Sequence, residues 1–213
     1  LEGLEEYLYD CHDSVALLCM LHLTHVHPTS VAAAAVPPVL EAYFDRVMML
    51  LWPRFKNVLD ANVLSIRQAD AAKLALPSPA LHPAVRRFAE LSASILLLLG
   101  ALNRVGTVDH MVRHNLQLLR GEVERLLGRL AQALPMRKTR VAFLLSQYRG
   151  VLAVWKERKL VDDDVAHMEQ MASTNAELFV EEELAEHFKR LINFVRETEA
   201  AMRAAAKGSG SGG

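Results

Sequence analysis

Residues 137–159 read RKTRVAFLLSQYRGVLAVWKERK. Val141, Leu145, Tyr148, Leu152 and Trp155 follow one another at steps of 4, 3, 4 and 3. Only a helix that packs one stripe against other helices needs that spacing, because 3.6 residues complete a turn. The same steps recur on both sides. Leu4, Leu8, Cys11, Val15 and Leu18 lay out a first stripe, which turns wetter at His22 and His25 and is expected to stop at Pro28. A second segment, 39–70, repeats through Leu40, Tyr43, Phe44, Val47, Leu51, Phe55 and Leu59. Pro53 lies inside it and predicts a kink over 49–53 or a break into two helices. Residues 84–103 are apolar on most faces around Leu96–Leu99, which predicts a central helix. Further helices are predicted over 108–134, with Thr107 as a candidate N-cap, over 137–159, and from Asp162–Asp164 onward. The last stripe is Leu184, Phe188, Leu191, Val195 and Met202, and no breaker over 181–183 decides whether it starts a separate helix.

No segment alternates with a period of two, and no repeat of fixed length is present. The fold class is all-α: an elongated stack of antiparallel helical bundles, six to eight helices over residues 1–206. The loop with Pro77, Pro79 and Pro83 offers a division into sub-bundles 1–75 and 84–206. Residues 208–213, GSGSGG, have the composition of an engineered Gly/Ser linker, to which a fused partner could attach, and the opening at Leu1 reads as a piece of a larger protein.

The 213 residues are 52% hydrophobic and 23% charged, with a formal charge of −1, which fits a packed domain and excludes a disordered chain. The balance of charge argues against a nucleic-acid binder. Cys11 and Cys19 are eight residues apart on what reads as one helix, too far to bridge, so both are read as reduced thiols acting as small apolar side chains. The longest apolar run is about a dozen residues, short of the roughly 20 a membrane span requires.

The polar residues form no recognisable active site. His22 with His25, and His110 with His114, could each share a helix face, but neither pair has a third ligand or a neighbouring Glu at metalloenzyme spacing; a His-based metal-binding bundle is the least favoured reading. The acidic runs Asp162–Asp164 and Glu181–Glu183 splay around a helix and read as solvated faces. Phosphate-binding glycine loops and nucleophile elbows are absent, so no catalytic residue, cofactor or metal is expected. Two basic groups, Arg86 with Arg87 and Arg137 with Lys138 and Arg140, are candidates for an acidic partner or an anionic membrane surface. Trp52 and Trp155 lie on or beside apolar stripes and are read as core.

Two words carry a resemblance. Tyr9-Asp10-Cys11-His12-Asp13-Ser14 in the first segment and Leu51-Trp52-Pro53-Arg54-Phe55 in the second, read in that order, resemble the vacuolar-protein-sorting subunit fifty-two family of the Golgi-associated retrograde protein and endosome-associated recycling protein tethering complexes. Arg86-Arg87-Phe88, Phe143-Leu144-Leu145 with Tyr148, Glu177-Leu178-Phe179, Glu186-His187-Phe188 and Phe194-Val195 are also similar, and the last part looks most like plant or algal members. Where the family shows an Asn-Asn-Tyr-Asp-like run, this chain has Ser146-Gln147-Tyr148-Arg149. The resemblance implies a rod of helical bundles of the exocyst and conserved oligomeric Golgi type. It implies a non-enzymatic tethering subunit in endosome-to-trans-Golgi retrograde transport. Sister subunits, Rab-type small GTPases and SNARE proteins are the implied partners. Membrane association would be peripheral, through those partners, at the cytosolic face of the trans-Golgi network and endosomes. It marks Tyr9, Asp10, Trp52, Pro53, Arg54, Phe55, Tyr148, Phe179 and Phe188 as residues of the family pattern.

Overall fold

A computed structural model describes residues 1–30, 38–74, 80–101 and 107–208, without the side chains of 25–30, 38–39, 107–108 and 203–208. The described residues form eight α-helices and one 3₁₀ turn, with no strand among them: α1 Glu2–Asp10, α2 Ser14–Ser30, α3 Pro38–Arg67, α4 Pro83–Ala101, α5 Thr107–Gln132, α6 Arg137–Glu157, α7 Asp163–His187 and α8 Lys189–Gly208. The 3₁₀ turn Ala71–Lys73 follows Asp70, whose carboxylate accepts from the Ala72 N–H at 3.0 Å.

The centre is α4. Val85, Phe88, Ala89, Ser92, Ala93, Ile95, Leu96 and Leu99 are buried, and the helix packs against α2, α5 and α6. Trp155 of α6 is nearly inaccessible; its indole N–H donates to the Ala89 carbonyl at 3.0 Å and the Ser92 Oγ at 3.2 Å. Ser92 in turn donates to the Phe88 carbonyl at 2.7 Å, so the buried polar atoms of this contact satisfy one another. α3 lies across α2 and α5, and α7 pairs with α6. A single apolar cluster runs from Leu8 to Ala172. Among the described residues α8 packs on α7 and on no other helix.

Several boundaries differ from the sequence reading. The first segment is two helices, broken over 11–13, and Cys11 and Cys19 are not on one helix. Asp13 causes the break: its carboxylate accepts from the N–H groups of Val15 at 2.9 Å and Ala16 at 3.0 Å, capping α2 afresh. The stripe is thereby re-phased, and Leu17, Leu18 and Leu21 face the core. α2 continues through Pro28 to Ser30; a proline this near a helix end forfeits one backbone bond without stopping the turn. α3 is one helix through Pro53, not two. α7 continues through Glu181–Glu183, and the last boundary falls at Phe188, four residues beyond the expected start. Residues 31–37, the centre of the proline loop and the tail 209–213 lie outside the described residues, as does the side chain of the proposed cap Thr107.

α6 ends in a left-handed turn built without glycine. Lys159 has φ 54°; its N–H donates to the Lys156 carbonyl at 3.0 Å, and the Leu160 N–H reaches the Trp155 carbonyl at 3.0 Å. A side chain in that backbone conformation costs about 1 kcal/mol. Lys159→Gly is therefore expected to raise unfolding stability in urea by about 1 kcal/mol; an unchanged or lower midpoint contradicts the reading of this turn.

Candidate functional site

The two words that carried the resemblance meet in space. Arg54 projects from α3, and its Nε donates to the Cys11 carbonyl at 2.9 Å, while Nη2 lies 3.4 Å from His12 Nδ1. Cys11 is the residue just past α1, where the chain has no helical neighbour to take that carbonyl. A charged donor from 43 residues away supplies the bond, so the elbow between α1 and α2 is held by α3. Phe55 is buried beneath it, half-buried Trp52 lies against Phe55 with ring centroids 5.7 Å apart, and Pro53 is exposed. On the outer side a shallow hollow of about 610 Å³ is lined by Glu6, Tyr7, Asp10, Cys11, His12 and Asp13. Tyr9 stands almost free, 80% exposed.

The five basic candidates separate into three kinds. Arg86 and Arg87 are exposed on the first turn of α4 and form no ion pair among the described residues. Arg137 and Lys138 are engaged within the chain: Arg137 reaches Glu182 at 3.1 Å, and Lys138 reaches Glu186 at 2.8 Å and Glu183 at 2.9 Å. Glu186 and Glu183 hold the Lys138 ammonium above its usual value, and Lys138 holds the Glu186 carboxyl below its own. Arg140 closes the turn between α5 and α6, donating to the Leu134 carbonyl at 2.7 Å. The acidic run Glu181–Glu183, read as a solvated face, thus supplies partners to α6. Arg87 also borders a small hollow of about 180 Å³ with Asn62, Ser65, Phe88 and Leu119.

A second charged network was not foreseen. Arg113 on α5 bridges Asp109 at 3.1 Å and Asp162 at 2.6 Å, Arg120 pairs with Asp164, and His167 meets Glu124 at 2.8 Å. Arg113 and Arg120 are seven residues apart and so share a face, and Asp109 and Glu124 stand at helix-pair spacing from them, all of which the sequence carries; Asp162 and Asp164 come from more than 40 residues downstream. Burial raises the Asp164 carboxyl, with Arg120 beside it opposing. Tyr148 is buried, which pushes its phenol up to about 12. The acids and bases of both networks are held as ion pairs, and those of the first, Arg137 with Glu182 and Lys138 with Glu186, border a cleft. No group of three His, Cys, Asp or Glu converges as a metal site among the described residues; His110 and His114 are exposed.

α8 leaves several apolar side chains exposed. Leu191 is 59% exposed, Phe194 65% and Met202 68%, with Phe188, Val195 and Leu184 also exposed. The last stripe of the sequence is real as a stripe but covers nothing. Between α8, the end of α7 and the start of α6 lies a cleft of about 720 Å³, walled on one side by Lys189, Ile192, Asn193 and Arg196. Phe179 is half-buried, and Phe188 marks the bend itself: its N–H donates to the Leu184 carbonyl at 2.7 Å, closing α7 as α8 begins.

The family model described as Vps52, C-terminal, matches residues 1–180. The chain belongs to the Vps52 family. Vacuolar protein sorting-associated protein 52 A of Arabidopsis thaliana is 35% identical over 196 residues, which cover 92% of this chain and 27% of the relative. The 52 B protein of the same plant is 34% identical over 194 residues, 91% and 27%. The 52 homolog of Homo sapiens is 32% identical over 201 residues, 94% and 27%. The chain therefore spans about a quarter of the length of the curated relatives it matches. No solved structure matches it. No helix among the described residues is long and apolar enough to cross a membrane.

Two outcomes test the geometry around the family words and the basic pair. Arg54→Ala, in a Cys19→Ala background, is expected to speed thiol labelling of buried Cys11 by about tenfold as the elbow loosens, at a stability cost of about 1–2 kcal/mol. Unchanged labelling contradicts the role given to Arg54. The second concerns His82, buried at the start of α4 just before Arg86. Its N–H donates to Gln147 Oε1 at 2.8 Å, its Nδ1 accepts from the Ala84 N–H at 3.2 Å, and its Nε2 has no partner. Burial lowers the imidazole from 6.5. The unfolded chain thus takes up the proton first, so stability is full above about 6.5 and is lost as pH falls toward the folded value. His82→Asn, which keeps an acceptor for the cap, is expected to flatten that dependence in urea unfolding between about pH 5 and 7; an identical pH slope in both proteins contradicts it.

Proposed function

We propose that the chain is part of a non-catalytic subunit of a multisubunit vesicle tethering complex in endosome-to-trans-Golgi retrograde transport. It works by binding sister subunits, Rab-type small GTPases and SNARE proteins at the cytosolic face of the trans-Golgi network and endosomes. Membership of the Vps52 family supports this reading. So do the names of its relatives, which associate them with vacuolar protein sorting. The single observation that carries it is α8, a helix about 30 Å long that leaves Leu191, Phe194, Val195 and Met202 exposed and, among the described residues, leans on α7 alone. A protein that works by contact has a use for such an arm.

The mechanism is mechanical. A packed bundle holds separate surfaces at fixed spacing: the elbow at Cys11, the basic turn at Arg86 and Arg87, and α8. Each needs only modest affinity, because engaging two at once raises the effective concentration of the second to the millimolar range. The membrane-surface alternative, through Arg86, Arg87, Arg137, Lys138 and Arg140, retains two unengaged bases; the other three are spent on Glu182, Glu183, Glu186 and backbone carbonyls.

Affinity capture from cells co-expressing the sister subunits, a GTP-locked Rab-type GTPase and the SNAREs should recover at least one of them in stoichiometric amount. Recovery of none, with the chain folded by circular dichroism, contradicts the proposal.

A further inference from the structure

Arg137-Lys138-Thr139-Arg140 opens α6. Of the serines and threonines in the sequence, Thr139 alone has a base on each side, and a third base stands two residues before it. Protein kinases choose their substrates partly by charge, and a kinase with an acid-lined cleft takes a hydroxyl set among bases. The fold leaves this hydroxyl at the surface. Pro135, Met136 and Arg137 are exposed, Thr139 is half-buried, and its Oγ donates to the Met136 carbonyl at 2.8 Å. Met136, at the N-cap position, supplies no side-chain bond to the first turn. An uncapped turn at a helix start opens at little cost, as a segment entering a kinase cleft must.

The same turn clasps α6 to α7. Arg137 reaches Glu182 at 3.1 Å, and Lys138 reaches Glu183 at 2.9 Å and Glu186 at 2.8 Å, beside the cleft that α8 completes. None of these side chains is fully buried, and pairs of that kind are individually weak. The acids of a kinase can therefore displace the acids of α7. The bases that mark Thr139 as a substrate are the bases that close the clasp, and they cannot do both at once.

We propose that Thr139 is a phosphorylation site for a basophilic Ser/Thr protein kinase, and that its phosphorylation and the clasp between α6 and α7 oppose each other. The Thr139 Oγ attacks the γ-phosphorus of ATP. An O–P bond forms, the bond from that phosphorus to the β-phosphate oxygen breaks, ADP leaves, and the hydroxyl proton passes to the catalytic carboxylate of the kinase. The ester oxygen then has no proton to donate to the Met136 carbonyl. The phosphate adds about two negative charges next to Lys138, where it competes with Glu183 and Glu186 for the ammonium and repels both. The end of α7 loosens from α6, and α8, which packs on α7, moves with it. Opening favours modification, and modification favours opening. This goes beyond the tethering reading and does not rest on it.

The test incubates the whole chain with ATP and the catalytic domain of protein kinase C, beside a synthetic peptide of residues 132–144, and locates phosphate by mass spectrometry. Phosphate is expected on Thr139 in both, and Thr139→Val should abolish it. Glu182→Gln, Glu183→Gln and Glu186→Gln together should speed uptake by the chain at least about threefold. Should that variant lose helix by circular dichroism, Glu186→Gln alone, at the most exposed of the three, takes its place. In the phosphorylated chain, amides of residues 181–187 should exchange at least about threefold faster than in the unmodified chain, with those of α4 unchanged. A peptide that takes no phosphate overturns the proposal, because the charge pattern then selects nothing. A modified peptide beside an unmodified chain overturns it too, because the turn then does not open. So does phosphate at another residue with Thr139 free, a rate indifferent to the Gln substitutions, or exchange over 181–187 unmoved by the phosphate.

Discussion

Helix α4 has too little polar surface to face water, and the bundle is what results from covering it. Eight of its side chains are buried, and three other helices are drawn around it. The contact with α6 is the most exacting. Trp155 fills the space beside Phe88, with ring centroids 6.2 Å apart, and must also place its indole N–H on a carbonyl that α4 already uses in its own ladder. Burial of that ring supplies the energy; the hydrogen bond fixes the height at which α6 stops sliding along α4. Distance from α4 then orders the molecule. α2, α5 and α6 touch it, α3 and α7 form the next layer, and α8 touches neither layer except through α7.

Buried polar residues do a different job, at the places where connectors cross the bundle. Gln147 is fully buried in α6, yet it is spent on the stretch before α4, accepting from the His82 N–H and donating to the Ala80 carbonyl at 2.9 Å. Gly150, one turn on, lets Leu81 lie against the same helix: a Cβ there would meet Leu81 Cδ1 at 2.7 Å. Glu122, only 3% exposed, is paired with Arg125 on its own helix and with Arg67 at the end of α3. A buried carboxylate adds little net stability, but removing one partner leaves a charge without solvent, so the pair fixes where α3 ends against α5. The elbow held by Arg54 follows the same logic nearer the surface.

Helix class and the central position of residues 84–103 were legible because periodicity reports burial directly. The breaks were not. Whether the chain bends at Cys11 depends on Asp13 winning the α2 N–H groups and on Arg54, 43 residues away, donating to the stranded carbonyl. Proline misled at Pro28, which was read as a stop, because near a helix end it costs no more than one backbone bond; at Pro53 the alternative of a break into two helices is the one that fails. Phe188 looks like any other apolar residue of its stripe, and only the backbone reveals the bend there. Periodicity also reports that a helix has an apolar face, never that something covers it, so the exposure of the α8 stripe was not legible. The basic cluster at Arg137 and the acidic run at Glu181 were both visible, but their pairing required knowing that α6 and α7 lie side by side. The family words were legible as words; that they touch was not.

Native-state hydrogen exchange along the whole chain tests this account most directly. If α4 is the anchor and α8 the unpartnered arm, amides of Val85–Leu99 exchange only by global unfolding, while those of Leu191–Met202 exchange faster by about two orders of magnitude or more. Equal protection of the two helices in the isolated chain, or α4 opening before the helices around it, would contradict the account.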